Sequence, residues 1–294
     1  MLIYPDTSDL INLCRGKSVV SLSELAKRLR SDSHRVVLSL ETLIELAAPL
    51  RNGLLLEVRK DLNQLEELPL VFVNEGRIPN LEIEEAIHAF EQRREYNSTA
   101  VQPFGRRLAD AIDMFGSRQF IIEGGIRVPT DMLINYGIAE TVLYLWKSDP
   151  LAFDVQRRRE QAWVQLMSSD RGMAVTPDLA DHFETAMARN LPLRGICSPV
   201  LGTEQFARWV YESPLRCPGV RLVYETQHRL RRDMKTRARA SDLIDLARIY
   251  AVPYVDFFVT DSAMRTYCRQ AAAEIGVTYP QVFGNLESII SGIS

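Results

Sequence analysis

The chain is poor in the features that commit a protein to a class at a glance. Its 294 residues include only four cysteines and four histidines. Cys14, Cys197, Cys217 and Cys268 form no C-x-x-C pair and make no zinc-ligand spacing with the histidines, so neither a disulfide framework nor a thiolate and imidazole metal site is expected. No run approaches the roughly 20 apolar residues that span a bilayer. The one apolar stretch at the N-terminus is cut by Asp6, with no basic region before it, which is unlike a secretory signal. A cytoplasmic protein without membrane contact is the expectation. Neither sign of charge dominates: 35 basic residues stand against 38 acidic ones, a formal net charge of -3. Any polyanion would therefore have to be held by a local patch rather than by the whole surface.

A composition of 46% hydrophobic and 25% charged residues is that of a globular chain able to bury a sizeable core. Residues 1–49 alternate short apolar runs with helical patterns: "LIYP", a helix from about Ser8, "SLSELAKRLRS", "RVVLSL" and "ETLIELAAPL". Ser21 and Glu24 form a capping box before the second helix. Residues 50–239 read almost wholly as helix, including "NLEIEEAIHAFEQRREY" with an Asn80 cap and two segments, "PTDMLINYGIAETVLYLWKSD" and "TPDLADHFETAMARNL", that start near Thr and Pro. Residues 240–294 return to alternation, with helical "SDLIDLARIY", the strand "YVDFFVT", a helix ending before Gly276 and a last strand "YPQVF". Strand and helix in alternation predict a parallel sheet flanked by helices. The expected architecture is thus a discontinuous α/β domain, 1–49 with 240–294, interrupted by a large all-helical insertion.

Acids recur where strands end or the following helices begin. Asp6 follows "LIYP"; Glu41 and Glu45, one turn apart on one face, follow "RVVLSL"; Asp261 follows "DFFVT"; Asp242 and Asp245 open the helix before it. Taken singly each has an ordinary explanation, as a helix cap or as a favourable charge at a helix start. Together they fall at the carboxyl edge of one sheet, where open parallel sheets bind ligands. Crowded carboxylates repel and raise one another's pKa unless a cation neutralises them. All-oxygen donors suit Mg²⁺ or Mn²⁺, and such an ion activates water and stabilises charge on a phosphate.

These stretches resemble the motifs of PIN-domain nucleases. "LIYPDTSDLINL" is similar to the first motif, an apolar strand ending in Asp with Thr or Ser after it. "LSLETLIELA" resembles the second, where Ser39 and Thr42 precede Glu45, and "SDLIDLARIYAVPYVDFFVTDSAM" resembles the third and fourth. The resemblance covers 1–48 and 241 to about 290 and leaves the middle uncovered. It implies a PIN-like sheet and a divalent-metal-dependent nuclease hydrolysing phosphodiester bonds, with single-stranded RNA as the expected substrate and DNA as the alternative. Asp6, Glu45, Asp242 and Asp261 become the expected catalytic metal ligands. Asp242 is preferred over Asp245, Glu41 and Asp256 are secondary candidates, and Thr7, Ser8 and Thr260 are polar supports. A catalytically silent PIN-like binding module is the competing expectation, and an inhibitory protein partner or a homodimer is compatible with the resemblance. Other acid-based sites fit less well, since Leu10 stands where an adhesion-type metal site needs a hydroxyl and Ser8 where a haloacid-type phosphatase needs its second Asp.

One basic run stands close to the acids. "HRLRRDMKTRARASD" carries Arg229, Arg231, Arg232, Lys235, Arg237 and Arg239 just before Asp242. At about 100° per residue, Arg232, Lys235 and Arg239 share a narrow helical face, which would suit a phosphate backbone. A solvated helix surface is the ordinary explanation of the same run. "QRRREQAW", ending at Trp163, is a weaker instance.

Overall fold

The computed structural model describes residues 1–108, 119–121, 127–129, 137–148, 161–162, 164–165, 198–201, 203–233, 239, 241–276, 281–283, 285–286 and 288–289. The main sheet has six strands in the order β4-β3-β2-β1-β7-β8. These are β1 Leu2–Tyr4, β2 Arg35–Ser39, β3 Leu70–Val73, β4 Phe104–Gly105, β7 Phe257–Val259 and β8 Gln281–Phe283. All pairs are parallel except the short edge strand β4, which runs antiparallel to β3. Two further strands, β5 Gln119–Ile121 and β6 Arg127–Pro129, form a separate antiparallel pair. The α-helices among the described residues are α1 Thr7–Cys14, α2 Leu22–Ser31, α3 Leu40–Ala47, α4 Leu55–Leu65, α5 Ile78–Glu91, α6 Ile138–Ser148, α7 Glu204–Tyr211, α8 Pro218–Arg232, α9 Ser241–Ile249 and α10 Ser262–Glu274.

The strands are apolar on both sides, as sheet strands covered by helices on each face must be. Side chains alternate across the sheet. Ile3, Val36, Leu38, Phe72 and Val259 enter the core shared with α1, α2, α3 and α4. Tyr4, Val37, Val71, Val73 and Phe258 enter the opposite core, shared with α8, α9 and α10. A smaller cluster joins α5, α7 and the start of α8 through Ile83, Ile87, Phe206, Val210 and Val220. In register, Ile3 lies beside Val36 and Phe257, and Tyr4 beside Phe258. The chain leaves β1 toward β2 on one side and returns as β7 on the other, so β1 and β7 flank the point where the strand order reverses. Asp6 and Asp261 follow these two strands.

Several local expectations meet their structure directly. Ser21 accepts a bond from the Glu24 amide at 3.3 Å, and Gly276 adopts φ +71 just beyond α10, the left-handed conformation that glycine tolerates at a helix end. Others need correction. The stretch 50–239 is not all helical: β3 and β4 belong to the main sheet, and β5 with β6 forms another. "LPLVFV" is a short apolar run without alternation, which periodicity alone cannot separate from buried helix. α5 starts at Ile78 with Pro79 in its first turn, ahead of the expected Asn80 cap, because the fixed φ of proline suits a first helical position. The Thr-initiated starts near 130 and 176, Trp163 and Lys235 lie outside the described residues.

A buried carboxylate fixes the N-terminus of α8. Glu82, fully buried on α5, accepts bonds from the amides of Gly219 at 2.7 Å and Val220 at 2.8 Å and from the Tyr254 hydroxyl at 2.5 Å. It satisfies amides that a helix start leaves orphaned and places negative charge at the positive end of the dipole. The approach is so close that a Cβ on Gly219 would stand 2.5 Å from the Tyr250 carbonyl oxygen and 2.9 Å from Glu82 Oε1. Gly219→Ala should therefore destabilise the fold by about 1–3 kcal/mol, the usual cost of overpacking, measured as a lower urea midpoint. Burial pushes the Glu82 carboxyl up to about 7, against the hydrogen bonds from Tyr254, Val220 and Gly219 that lower it. With the folded-state value above the unfolded one, stability is full below about pH 4.5 and falls as pH rises to about 7, by about 3 kcal/mol. Glu82→Gln should flatten that decline in pH-dependent unfolding.

Candidate functional site

Asp6 and Asp261 look alike in sequence, each an acid between a strand and a helix, but the structure gives them different tasks. Asp6 occupies the position before α1 in extended conformation and makes no side-chain capping bond. Its Oδ1 accepts from Arg248 Nη1 at 2.7 Å and its Oδ2 from the Ser8 hydroxyl at 2.5 Å. Burial raises the Asp6 carboxyl, and the Arg248 charge and the bond from Ser8 outweigh it, so the group sits below its ordinary value. Asp261 is a true cap: its Oδ1 accepts from the Met264 amide at 2.8 Å. Its Oδ2 accepts from the Arg239 guanidinium.

Arg248 organises the centre of the site, and it is entirely buried. From α9 its guanidinium reaches the carbonyl oxygen of Pro5 after β1 and that of Val259, the last residue of β7, the latter at 3.4 Å. The same group lies 4.8 Å from the Tyr4 ring centroid and 5.5 Å from that of Phe258, so two aromatic faces receive a cation already paired with Asp6. Asp245, one helical turn before it, lies 3.7 Å from Arg248 Nη1. Burial pushes the Asp245 carboxyl up to about 7; Arg248 pulls it down, while Asp261, Asp6 and Glu45 push it up further. The four carboxylates are thus near enough to influence one another's charge. Glu45 comes from α3, held by the Thr7 hydroxyl.

Asp242 is turned elsewhere. Its Oδ2 accepts from the Arg239 amide at 2.7 Å and its Oδ1 from Arg239 Nε at 3.1 Å, which closes the turn before α9. Arg239, which also binds Asp261, joins Asp242 to the group. Asp256 is not brought into the site: it precedes β7, at the opposite edge of the sheet, and accepts from the Leu2 amide at 2.6 Å. Parallel strands that end together also begin together, which is why an acid at a strand entrance is excluded. Glu41 lies in the first turn of α3, one turn before Glu45. Thr260 is buried, and among the described residues its hydroxyl has no hydrogen-bond partner.

The basic run departs from the expected single helix. α8 ends at Arg232, and Asp233 is extended with its carboxylate accepting from the Tyr267 hydroxyl. An acid opposes the dipole at a helix C-terminus, and here a partner on α10 draws it away from the axis. Arg232 and Arg239 therefore share no helical face. Arg232 is exposed, beside a groove of about 470 Å³ between α8 and α10 that Arg229, Thr266, Tyr267 and Gln270 also line.

Two residues at the core of this arrangement were not singled out from sequence. Arg248 is one; its signal is an opposite charge at i+3 from Asp245 on a helix whose neighbours Ile244, Leu246 and Ile249 are apolar. Glu75, just past β3, is the other. It is buried behind the site, where it accepts the Tyr4 hydroxyl proton in a hydrogen bond.

The donor set is oxygen alone, which matches hard divalent cations. Five carboxylates, Asp6, Glu45, Asp242, Asp245 and Asp261, stand against two guanidiniums, Arg239 and Arg248. The formal surplus is three negative charges. In chemistry and charge the residues fit such an ion. Their present pairing is with arginine, and among the described residues no three His, Cys, Asp or Glu side chains are grouped to hold a metal as they stand. No family model, curated protein or solved structure matches the chain.

Removing the central cation should be costly. Arg248→Met is expected to lower stability by about 3 kcal/mol, at the low end for an orphaned buried partner, because the Asp6 side chain keeps 27% exposure. Adding Asp6→Asn to that variant should recover part of the loss in urea unfolding, and strictly additive losses would show that the two groups are not coupled.

Proposed function

We propose that the chain is a divalent-metal-dependent phosphodiester hydrolase, a PIN-like nuclease with single-stranded RNA as its substrate class. The observation that supports this reading is geometric: buried Arg248 pairs with Asp6 at 2.7 Å and lies 3.7 Å from Asp245, Thr7 beside Asp6 holds Glu45, and Asp261 follows the strand next to β1, where the strand order reverses. A mostly parallel sheet with helices on both faces is compatible with the fold that the sequence motifs imply. Its carboxyl edge at that reversal is where such sheets place ligands.

In this reading Asp6, Glu45 and Asp261 hold Mg²⁺ or Mn²⁺, and Asp245 takes the third-motif place ahead of Asp242. The ion supplies an activated water and charge stabilisation on phosphate. The chain supplies the rest. Arg248 keeps Asp6 and Asp245 apart and oriented while remaining charged at any working pH. Thr7 steadies Glu45, Ser8 steadies Asp6, and the Met264 amide fixes Asp261. Pushed by burial from the ordinary carboxylate range up to about 7, the Asp245 carboxyl is suited to exchanging a proton close to neutral pH. The groove beside Arg232 runs along α10, whose first residues adjoin Asp261, and offers a path for a phosphate backbone.

A silent binding module is favoured by one observation, that arginines already hold Asp6, Asp242 and Asp261. Cleavage separates the two readings. Mn²⁺-stimulated hydrolysis of a labelled single-stranded RNA is expected from the wild type and lost with chelator, with Asp6→Asn and with Asp245→Asn. Asp256→Asn should retain it. Equal hydrolysis by the Asp6 variant and the wild type would refute the assignment. Arg232→Ala with Lys235→Ala should weaken RNA binding and reduce the salt slope by about 1.4, at roughly 0.7 per single-strand phosphate contact. An unchanged slope would remove those residues from the interface.

A further inference from the structure

We propose that Arg239 is the built-in counter-cation of the acidic pocket and that a divalent ion enters by displacing its guanidinium from Asp261. The inference rests on the metal-dependent reading above and deepens it. Two arginines neutralise the carboxylates, and they are held very differently. Arg248 is wholly buried, with two aromatic rings, two carbonyl oxygens and two carboxylates around it. Arg239 has a side chain 48% exposed and lies outside any helix. One is part of the core, and the other is able to leave.

The contacts of Arg239 divide in the way such a departure needs. Its backbone amide holds Asp242 at 2.7 Å, a bond that persists wherever the side chain goes. Its Nη2 spans Asp242 Oδ1 at 3.0 Å and Asp261 Oδ2. Asp261 is meanwhile fixed through its other oxygen by the Met264 amide. When the guanidinium withdraws, Asp261 keeps its orientation and presents a free Oδ2 to the pocket. A doubly charged ion competes well there, since a pocket with surplus negative charge attracts two charges more strongly than one. A half-exposed guanidinium returns to water at little cost. The displacement also accounts for the arrangement seen, in which Asp6 is paired with a buried arginine while Asp261 is paired with one that is half exposed.

The test is Mn²⁺ binding to the full chain, read by the electron paramagnetic resonance of free ion and by calorimetry, neither of which depends on turnover. Arg239→Gln is expected to tighten Mn²⁺ by about tenfold, equivalent to about 1.4 kcal/mol. Arg239→Lys, which keeps the charge and loses the forked contact, should fall between it and the wild type. Arg265→Gln removes a partly buried charge one turn into α10 and should leave the affinity within about twofold, as expected for a charge that solvent still screens. An Arg239→Gln affinity equal to or weaker than wild type overturns the proposal, as does the same gain from Arg265→Gln, which would mean that net field and not displacement is at work. Should Arg239→Gln fail to fold by circular dichroism, Arg239→Lys carries the same comparison. Wild-type binding with no gain in the variants removes the displacement alone, whereas an absence of Mn²⁺ binding in every form removes the metal reading with it.

Discussion

The guanidinium of Arg248 is the interaction on which the arrangement of the sheet's carboxyl edge depends. It bonds to the chain just after β1 and at the end of β7, two strands separated by about 250 residues of sequence but adjacent in the sheet. Backbone carbonyls at strand ends have lost their ladder partners and need donors. A single planar group with five N–H donors satisfies two of them and a carboxylate at once. Lysine has the charge without the fork, so it would leave at least one of these acceptors unmet. From this one contact follow the position of α9 against the sheet, the approach of Asp245 to Asp6 and the closure of the volume that Glu45 and Asp261 complete.

Such a centre is a poor way to gain stability. Burying a charge is expensive, and an apolar side chain of similar shape often serves as well or better. The surroundings add to the cost: Asp245 is held among three other acids, and its carboxyl is pushed up to about 7. Strongly perturbed groups with identifiable charged neighbours collect at functional sites more often than elsewhere. The rest of the molecule shows how an acid is used when only structure is at stake. Glu82 is buried too, yet it meets two amides and a hydroxyl and no other carboxylate in its bonding shell. One acid satisfies donors, and the other set crowds acceptors together. The second arrangement is what the proposed cation site would require.

Much of this was legible in sequence, and the limits are specific. Short apolar runs followed by amphipathic segments marked β1, β2, β7 and β8 and the helices after them, because both period and punctuation agreed. β3 was hidden in "LPLVFV", where a buried strand leaves no alternation to read. The acids were visible as residues at strand ends, since that edge is set by chain direction alone. The choice between Asp242 and Asp245 was not visible. Both lie at the start of α9, and which one turns inward is decided by Arg239 and Arg248, partners on either side of them that sequence spacing does not rank. In the same way the run from Arg229 to Arg239 had a helical period, and the structure breaks it at Asp233 because a tyrosine on another helix binds that carboxylate.

The two arginines also bear on why an α/β scaffold suits this pocket. A parallel sheet opens a crevice only where successive connections leave in opposite directions, and here that point lies between β1 and β7. Groups placed there come from the ends of two neighbouring strands and from the helices that follow or precede them, so they converge without any loop having to fold inward. Four acids, Asp6, Glu45, Asp245 and Asp261, drawn toward such a point repel one another and need positive charge nearby. Arg248 supplies a permanent share from inside the core, and Arg239 supplies a share from the surface. The fold therefore carries its own neutralisation, and the two arginines differ in burial, Arg248 wholly inside and Arg239 about half exposed, which is the difference that the proposed exchange of Arg239 requires.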